Sequence, residues 1–538
     1  LQKYLKSAVI RVILSHYYIG TLIAFYYGGS KNKILIKNYE RSETMAGTIM
    51  TNLAAWLWGW PIIIIMLGTG LIYTIASKGF QFRYLGYAIG QTFGKVLKKE
   101  ELENARTGVL SPREAVSIAI GGTVGVGNIG GVATAIAVGG PGAVFWMWIA
   151  ALFGMLLKMI EVTLALHYRT KDSEGKPFGG PMYYIHNGIG KDLHLPAIAK
   201  VLNVLFIGGM IGGMVITMQC YNVSEAVATT FSLNQSIIAI IYTIILYVMI
   251  SGGLKKLDQI ASMIVPFMCV LYLVAGLAII IIKCPELGNV FYLIFHGAFH
   301  GTAAVGGFGG AAFILAINKG LARAVFSSEA GEGTSPMIHS TAATDHPIRQ
   351  GMWGVFEVFV DTILVCSVTA LTILCTGVWT SGISGASLTL SAFNSVFGVP
   401  GQVILTVAIV LFGITTSSGW YTYYDIILRY LFGSDARKDA AKKKVLTVYK
   451  FIYPLCGLWL VLYANAVGMP TAIVWNFADV ATGIPTLINV FALLLLLPKF
   501  IQLLNDFKAR FMGIGKVDPN VKVFYEDEEP GRIAKEEK

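Results

Sequence analysis

Long apolar runs separated by short polar ones recur along nearly the whole chain. They lie near 56–77, 112–136, 141–167, 197–228, 236–252, 257–283, 297–320, 350–378, 401–432, 446–466 and 471–499. A helix needs about 20 residues to cross roughly 30 Å of hydrocarbon, so these runs predict about eleven transmembrane helices. Start signals agree in places: "SPREAVSIAI" opens a run with Ser111 as N-cap and Pro112 in the first turn.

Composition places the chain in a membrane. Of 538 residues 55% are hydrophobic and 13% charged, and mean hydropathy is +0.66, whereas soluble domains carry about 25% charged residues. The expected class is an all-α polytopic membrane protein, one bundle in a lipid bilayer. The net charge of +11 would suit nucleic acid if it were clustered on one surface, but it falls in alternate loops. Loop 78–110 carries Lys78, Arg83, Lys95, Lys98, Lys99 and Arg106, and 429–450 carries Arg429, Arg437, Lys438, Lys442, Lys443, Lys444 and Lys450. The intervening loops, "AVGGP", 229–235, 379–400 and 467–470, have none. By the positive-inside rule the basic loops are cytoplasmic, so the charge signals topology in the cell membrane and not a nucleic-acid partner. The tail 500–538 is then cytoplasmic. Residues 1–44 fit poorly, with seven Lys or Arg against two Glu and Met45 as the first methionine. We read 1–44 as an extension of doubtful status, and 45–110 as an extra helix with its cytoplasmic connection.

Glycine carries the chemistry. The run "GGTVGVGNIGG", 121–131, has six glycines in eleven positions, and "GVGNIG" within it fits the dinucleotide fingerprint. That fingerprint needs a preceding strand and an acid about 20 residues on; here a helix start precedes it and the next acid is Glu161. Each interior glycine costs a helix about 0.8–1 kcal/mol relative to alanine, so the run predicts a broken membrane helix. Close helix packing through small residues is the plainer alternative. A second cluster, "GTAAVGGFGG" at 301–310, lies five spans later. Interrupted helices in corresponding positions of two halves point to an inverted-repeat transporter, with repeats at 111–283 and 297–499. The amides of such a break suit a carboxylate and its freed carbonyls suit Na⁺; Asn128, at the end of the run, offers both donor and acceptor.

The block "GGPGAVFWMWIAALFG", 139–154, resembles the signature of the alanine or glycine:cation symporter family. "GVGNIGGVATAIA", "GGPMYYI" at 179–185, "SSEAGEGTSPMIH" at 327–339, "HPIRQG" at 346–351 and "GWYTYYD" at 419–425 resemble further family blocks in order, over roughly 53–505. The resemblance implies a five-plus-five inverted-repeat, leucine-transporter-like fold with one extra N-terminal helix. It also implies uptake of alanine or glycine driven by Na⁺ or H⁺, with Na⁺ as coupling ion and no other cofactor. It assigns Gly125, Gly127 and Asn128 to the substrate carboxylate, Gln219 of "ITMQCYN" to the substrate, and Phe299 and Trp420 to the pocket wall. Thr416 would offer an oxygen to substrate or Na⁺, with Thr123 and the carbonyls near Gly122 on the ion's other side. Departures include Val126, where many members carry Thr, "TTSSGW" before Trp420, and Ser328 where Asn is common.

Acids near spans are expensive and so draw attention. Asp361, Asp425 and Glu329 are gate or coupling candidates, each with a structural ion pair as the bland alternative. Glu161 follows Lys158 by three and is expected to pair with it, and Glu357 lies four before Asp361. "SSEAGEG" reads as a flexible, cytoplasmic inner-gate loop or a plain connection. No P-loop motif G-x-x-x-x-G-K-[ST] is present, and the scattered Cys and His give no metal or catalytic set, which disfavours an ATP-driven pump or an enzyme. An H⁺-coupled carrier of glutamine or serine is the runner-up, and a channel follows it.

Overall fold

The computed structural model describes residues 47–92, 110–171, 177–300, 309–433 and 439–526. Contacts divide the chain into Leu1–Thr51 and Asn52–Lys538, and the principal helices belong to the second unit. The reading of 1–44 as an extension lies outside the described residues.

Among the described residues the second unit is helices and their connections, with one two-residue antiparallel pair, Thr170–Lys171 with Pro177–Phe178, and an isolated bridge between Leu110 and Ala342. Its helices begin with α1 (Trp60–Ala76), α2 (Pro112–Thr123), α3 (Val132–Gly139), α4 (Gly142–His167), α5 (Pro196–Met214), α6 (Met218–Phe231) and α7 (Gln235–Ser251). They continue with α8 (Gly253–Ile282), α9 (Leu287–His300), α10 (Gly309–Ser328), α11 (Pro347–Val358), α12 (Ser367–Cys375), α13 (Ala386–Phe432), α14 (Asp439–Ala466), α15 (Thr471–Leu495) and α16 (Leu497–Phe511). Among the described residues nine helical segments are long and apolar enough to cross a membrane.

Local chemistry sets the helix starts. Ser111 accepts from the Glu114 amide at 3.2 Å while the Glu114 carboxylate accepts from the Ser111 amide at 2.7 Å, a reciprocal capping box. Asn234 caps α7 through the Ser236 and Ile237 amides, and prolines open α5 and α11. α13 runs past a sharp bend at Gly398, φ 63°, followed by Pro400; the expected span 401–432 is the part after that bend.

Packing sorts the helices into an inner and an outer set. α4 is buried almost all round and packs against α10 and α11, and α2 against α8 and α13. By contrast α7 and α8 turn large apolar side chains outward, among them Ile237, Ile244, Val248, Val270 and Val274. A lipid-facing surface of this kind carries no hydrophobic penalty. The inner set holds the buried polar groups, and the site is there.

Candidate functional site

The first interruption follows α2. Val124 is extended, with ψ 99°, and the chain re-enters helix through a π turn, Gly127–Gly131, before α3. The glycines are required by space. A Cβ on Gly125 would lie 2.2 Å from the Thr416 hydroxyl oxygen, one on Gly122 2.5 Å from the Tyr423 hydroxyl, and one on Gly127 2.8 Å from the Phe326 ring. α10 and α13 therefore press directly on bare backbone.

Asn128 holds this break together. Its Oδ1 accepts from the Gly125 amide at 2.7 Å, and its Nδ2 donates to Asp361 Oδ1 at 2.7 Å. Asp361 sits in a second π turn, Phe359–Cys366, between α11 and α12. Its other oxygen accepts from Ser327 at 2.7 Å and Thr362 at 2.8 Å. One fully buried carboxylate thus ties together the first break, the end of α10 and the α11–α12 junction. Both ends of the Asn128 amide are committed to protein partners, Gly125 on one side and Asp361 on the other.

A second interruption lies at the end of α10, away from the glycine cluster at 301–310. Residues 301–308 lie outside the described residues, but Gly127 meets α10 at Phe326 and Ser327, and α10 ends at Ser328. Beyond it Glu329 has φ 54°, and Gly331 and Gly333 each have φ 89°, before a short helix at Pro336–His339. Among the described residues the interrupted segment that meets the first break is "SSEAGEG". The segment, expected as a flexible cytoplasmic gate loop or a plain connection, is buried, as is every residue from Ser327 to Ala342. Irregular backbone at this depth needs protein partners, and distant helices supply them. Glu161 Oε2 accepts from the Gly331 amide at 3.2 Å, while Asn489 donates to the Gly331 carbonyl at 2.9 Å and to Glu161 Oε1 at 2.5 Å. Tyr184 donates to Asn489, and Thr334 to Glu329 at 2.5 Å.

Two of the acids pair otherwise than their spacing implied. Lys158 pairs with Glu357, 3.5 Å away, not with Glu161; Glu357 also meets His339 Nε2 at 3.0 Å. Glu357 and Asp361 serve different clusters, since the π turn between α11 and α12 carries Asp361 toward Asn128.

Between the second interruption and α5, α6, α13 and α15 lies a cavity of ≈ 380 Å³, open solvent at its mouth included. Gln219, Phe326, Glu332, Trp420, Tyr424 and Thr482 are among its lining. Gln219 and Trp420, far apart in the chain, thus share one pocket. Phe299 does not join them: it is 54% exposed and packs on Phe145 and Trp146. Phe326 stands in its stead, with its ring against Gly127 and the pocket beyond. On the other side of the break, Thr416 donates to the Gly121 carbonyl at 3.3 Å, while Thr123 donates to its own helix, to Ala119 and Ile120. Asp425 lies apart from the pocket lining, in an i,i+4 pair with Arg429 at 2.5 Å. Phe326 and Glu332 were not among the residues expected from sequence, although both flank or lie within the "SSEAGEG" block.

The profile of the sodium:alanine symporter family matches residues 42–519. The chain belongs to this family. It is 39% identical to an uncharacterized transporter, YflA, of Bacillus subtilis over 85% of this chain and 92% of that one. It is 34% identical to the sodium/alanine symporter AgcS of Methanococcus maripaludis over 84% and 94%. The probable sodium/glutamine symporter GlnT of Bacillus subtilis is 33% identical over 88% and 91%. Among solved structures, MhsT in complex with L-phenylalanine superposes with a TM-score of 0.52 at 14% identity, covering 74% of this chain and 99% of that one. That likeness shows the leucine-transporter fold. The sodium:alanine symporter family member described here is accordingly a multi-pass membrane transporter for amino acid symport, not an enzyme.

Proposed function

We propose that this transporter imports a small neutral amino acid, alanine or glycine, together with Na⁺ by alternating access, with its C-terminal tail in the cytoplasm. The observation that carries the reading is the meeting of the two interruptions at Phe326, whose ring packs on Gly127 and lines the pocket. Amides at the start of the π turn after Gly125 attract the substrate carboxylate. Phe326, Gln219 and Trp420 bound the space for its side chain. Na⁺ sits on the opposite side of the break, where the Thr416 hydroxyl meets the Gly121 carbonyl. Asn128 acts by holding the break open through Gly125 and Asp361.

The driving force suffices. One charge crossing 100 mV is worth about 2.3 kcal/mol, and a tenfold Na⁺ gradient adds about 1.4. Their sum, about 3.7 kcal/mol, concentrates a neutral substrate roughly 500-fold per ion.

The test is uptake of labelled alanine into proteoliposomes while Na⁺ and pH gradients are varied separately, with glycine, serine and glutamine as competitors. Saturable uptake that follows the Na⁺ gradient, with glycine the strongest competitor, is expected, and Asn128→Ala should abolish it. Uptake indifferent to Na⁺ would sink the coupling claim; glutamine outcompeting glycine would reassign the substrate.

A further inference from the structure

The pocket lining contains one charged side chain, Glu332, and it is 1% exposed. Its Oε2 is buried without a hydrogen-bond partner. The neighbouring carboxylates are better provided. Glu161 accepts from Asn489 and Gly331, Glu329 from Thr334, and Glu357 has Lys158, His339 and Ser335. Lys158 lies in the field of all four acids but is engaged by Glu357, so Glu332 has no cation of its own among the described residues.

A second, independent group points into the same space. The Tyr424 hydroxyl, on α13, is buried without a partner, and it lies 3.6 Å from where a Cβ on Gly213 of the pocket wall would stand. Trp420 adds an aromatic face one helical turn away, and the rest of the wall is largely apolar, with Met210, Ile216, Ala478 and Ala481. A buried carboxylate without donors is costly to keep. A carboxylate, a hydroxyl and an indole face around a small apolar space together match a protonated amine, through charge-assisted hydrogen bonds and cation–π attraction.

We propose that Glu332 is the amine subsite of the pocket, taking the α-ammonium of the amino acid, with the Tyr424 hydroxyl and the Trp420 ring beside it. The proposal rests on the reading of this cavity as an amino acid site. The incoming ammonium supplies the countercharge that the protein withholds, so the pocket favours amines over amine-free acids of the same size. Orientation follows: the ammonium end lies toward α15 and the second interruption, and the carboxylate end toward the amides beyond Phe326.

The test uses the purified full-length chain with Na⁺ held constant and binding of labelled alanine as the readout. Ethylamine is alanine without its carboxylate, and propionate is alanine without its amine. In wild type, ethylamine should displace alanine and propionate should not. Glu332→Gln should weaken alanine binding at least tenfold and remove displacement by ethylamine, with Glu332→Asp in between. Should Glu332→Gln fail to fold, as judged by thermal unfolding, Tyr424→Phe is the second variant, with several-fold weaker alanine binding expected and an unchanged unfolding temperature. Alanine binding undiminished in the folded Glu332→Gln protein would overturn the amine assignment alone. Absence of alanine binding to wild type would instead overturn the reading of the pocket. Stabilisation of wild type but not Glu332→Gln by Na⁺ without any amine would give the carboxylate to the cation and overturn the proposal.

Discussion

The two interruptions solve the same problem with different residues. In the first, at 121–131, the glycines keep ordinary negative φ and are needed because Thr416, Tyr423 and Phe326 stand where a Cβ would go. In the second, Gly331 and Gly333 are needed for their φ of 89°. The first break is stitched by an amide and one carboxylate, Asn128 and Asp361. The second is set among four carboxylates and one lysine, Glu161, Glu329, Glu332, Glu357 and Lys158. Crowding is present at the second break as well, since a Cβ on Gly333 would stand 2.5 Å from Pro181, but there the positive φ already demands glycine. Where distant carboxylates and amides hold the backbone, two glycines suffice.

The contrast can be pressed where the effects are largest. Lys158→Met leaves the second cluster without its lysine, and breaking the buried pair with Glu357 is expected to cost about 3–5 kcal/mol, read as lost folded yield and a lowered unfolding temperature in detergent. The first cluster has no such dependence on one cation: Asp361→Asn replaces a neutral-donor acceptor and should cost about 1–3 kcal/mol while abolishing uptake. An equal loss of stability in the two variants would erase the distinction.

The glycines themselves give the next test. Gly125→Ala collides with the Thr416 side chain, so Thr416→Gly in the same protein should restore much of the lost folding. Gly331→Ala is strained by its φ, a cost of about 1–3 kcal/mol, and trimming the adjacent Val490 should recover little of it. Rescue of both, or of neither, would show that the two breaks need glycine for one common reason.

Smaller effects separate pocket from periphery. Phe326→Ala should remove most uptake, whereas Phe299→Ala, on an exposed face with Phe145 and Trp146, should leave it within about twofold. Asp425→Asn removes an i,i+4 pair away from the pocket lining, its carboxylate buried and Arg429 partly exposed, and should change stability by about 1 kcal/mol.

Much of this was legible in the sequence. Apolar spacing and the low share of charged residues gave the membrane class, Ser111 and Pro112 the start of α2, and the run around Asn128 the first break. The second break escaped because "SSEAGEG" is polar in the manner of a surface loop, and its partners Glu161 and Asn489 lie 170 and 158 residues from Gly331. Phe299, which the resemblance assigned to the pocket wall, lies on an exposed face, while Phe326, beside the break at 327–335, carried no glycine signal. Lys158 and Glu161 have helical spacing for a pair, but burial and the approach of α11 give the lysine to Glu357.

The central claim is that the two breaks, 121–131 and 327–335, jointly form the binding site. Hydrogen–deuterium exchange of the purified protein, with and without saturating alanine at fixed Na⁺, reads this directly. Protection rising in both segments together, with 301–310 unchanged, is the expected result. Protection confined to one segment, or centred on 301–310, would contradict it.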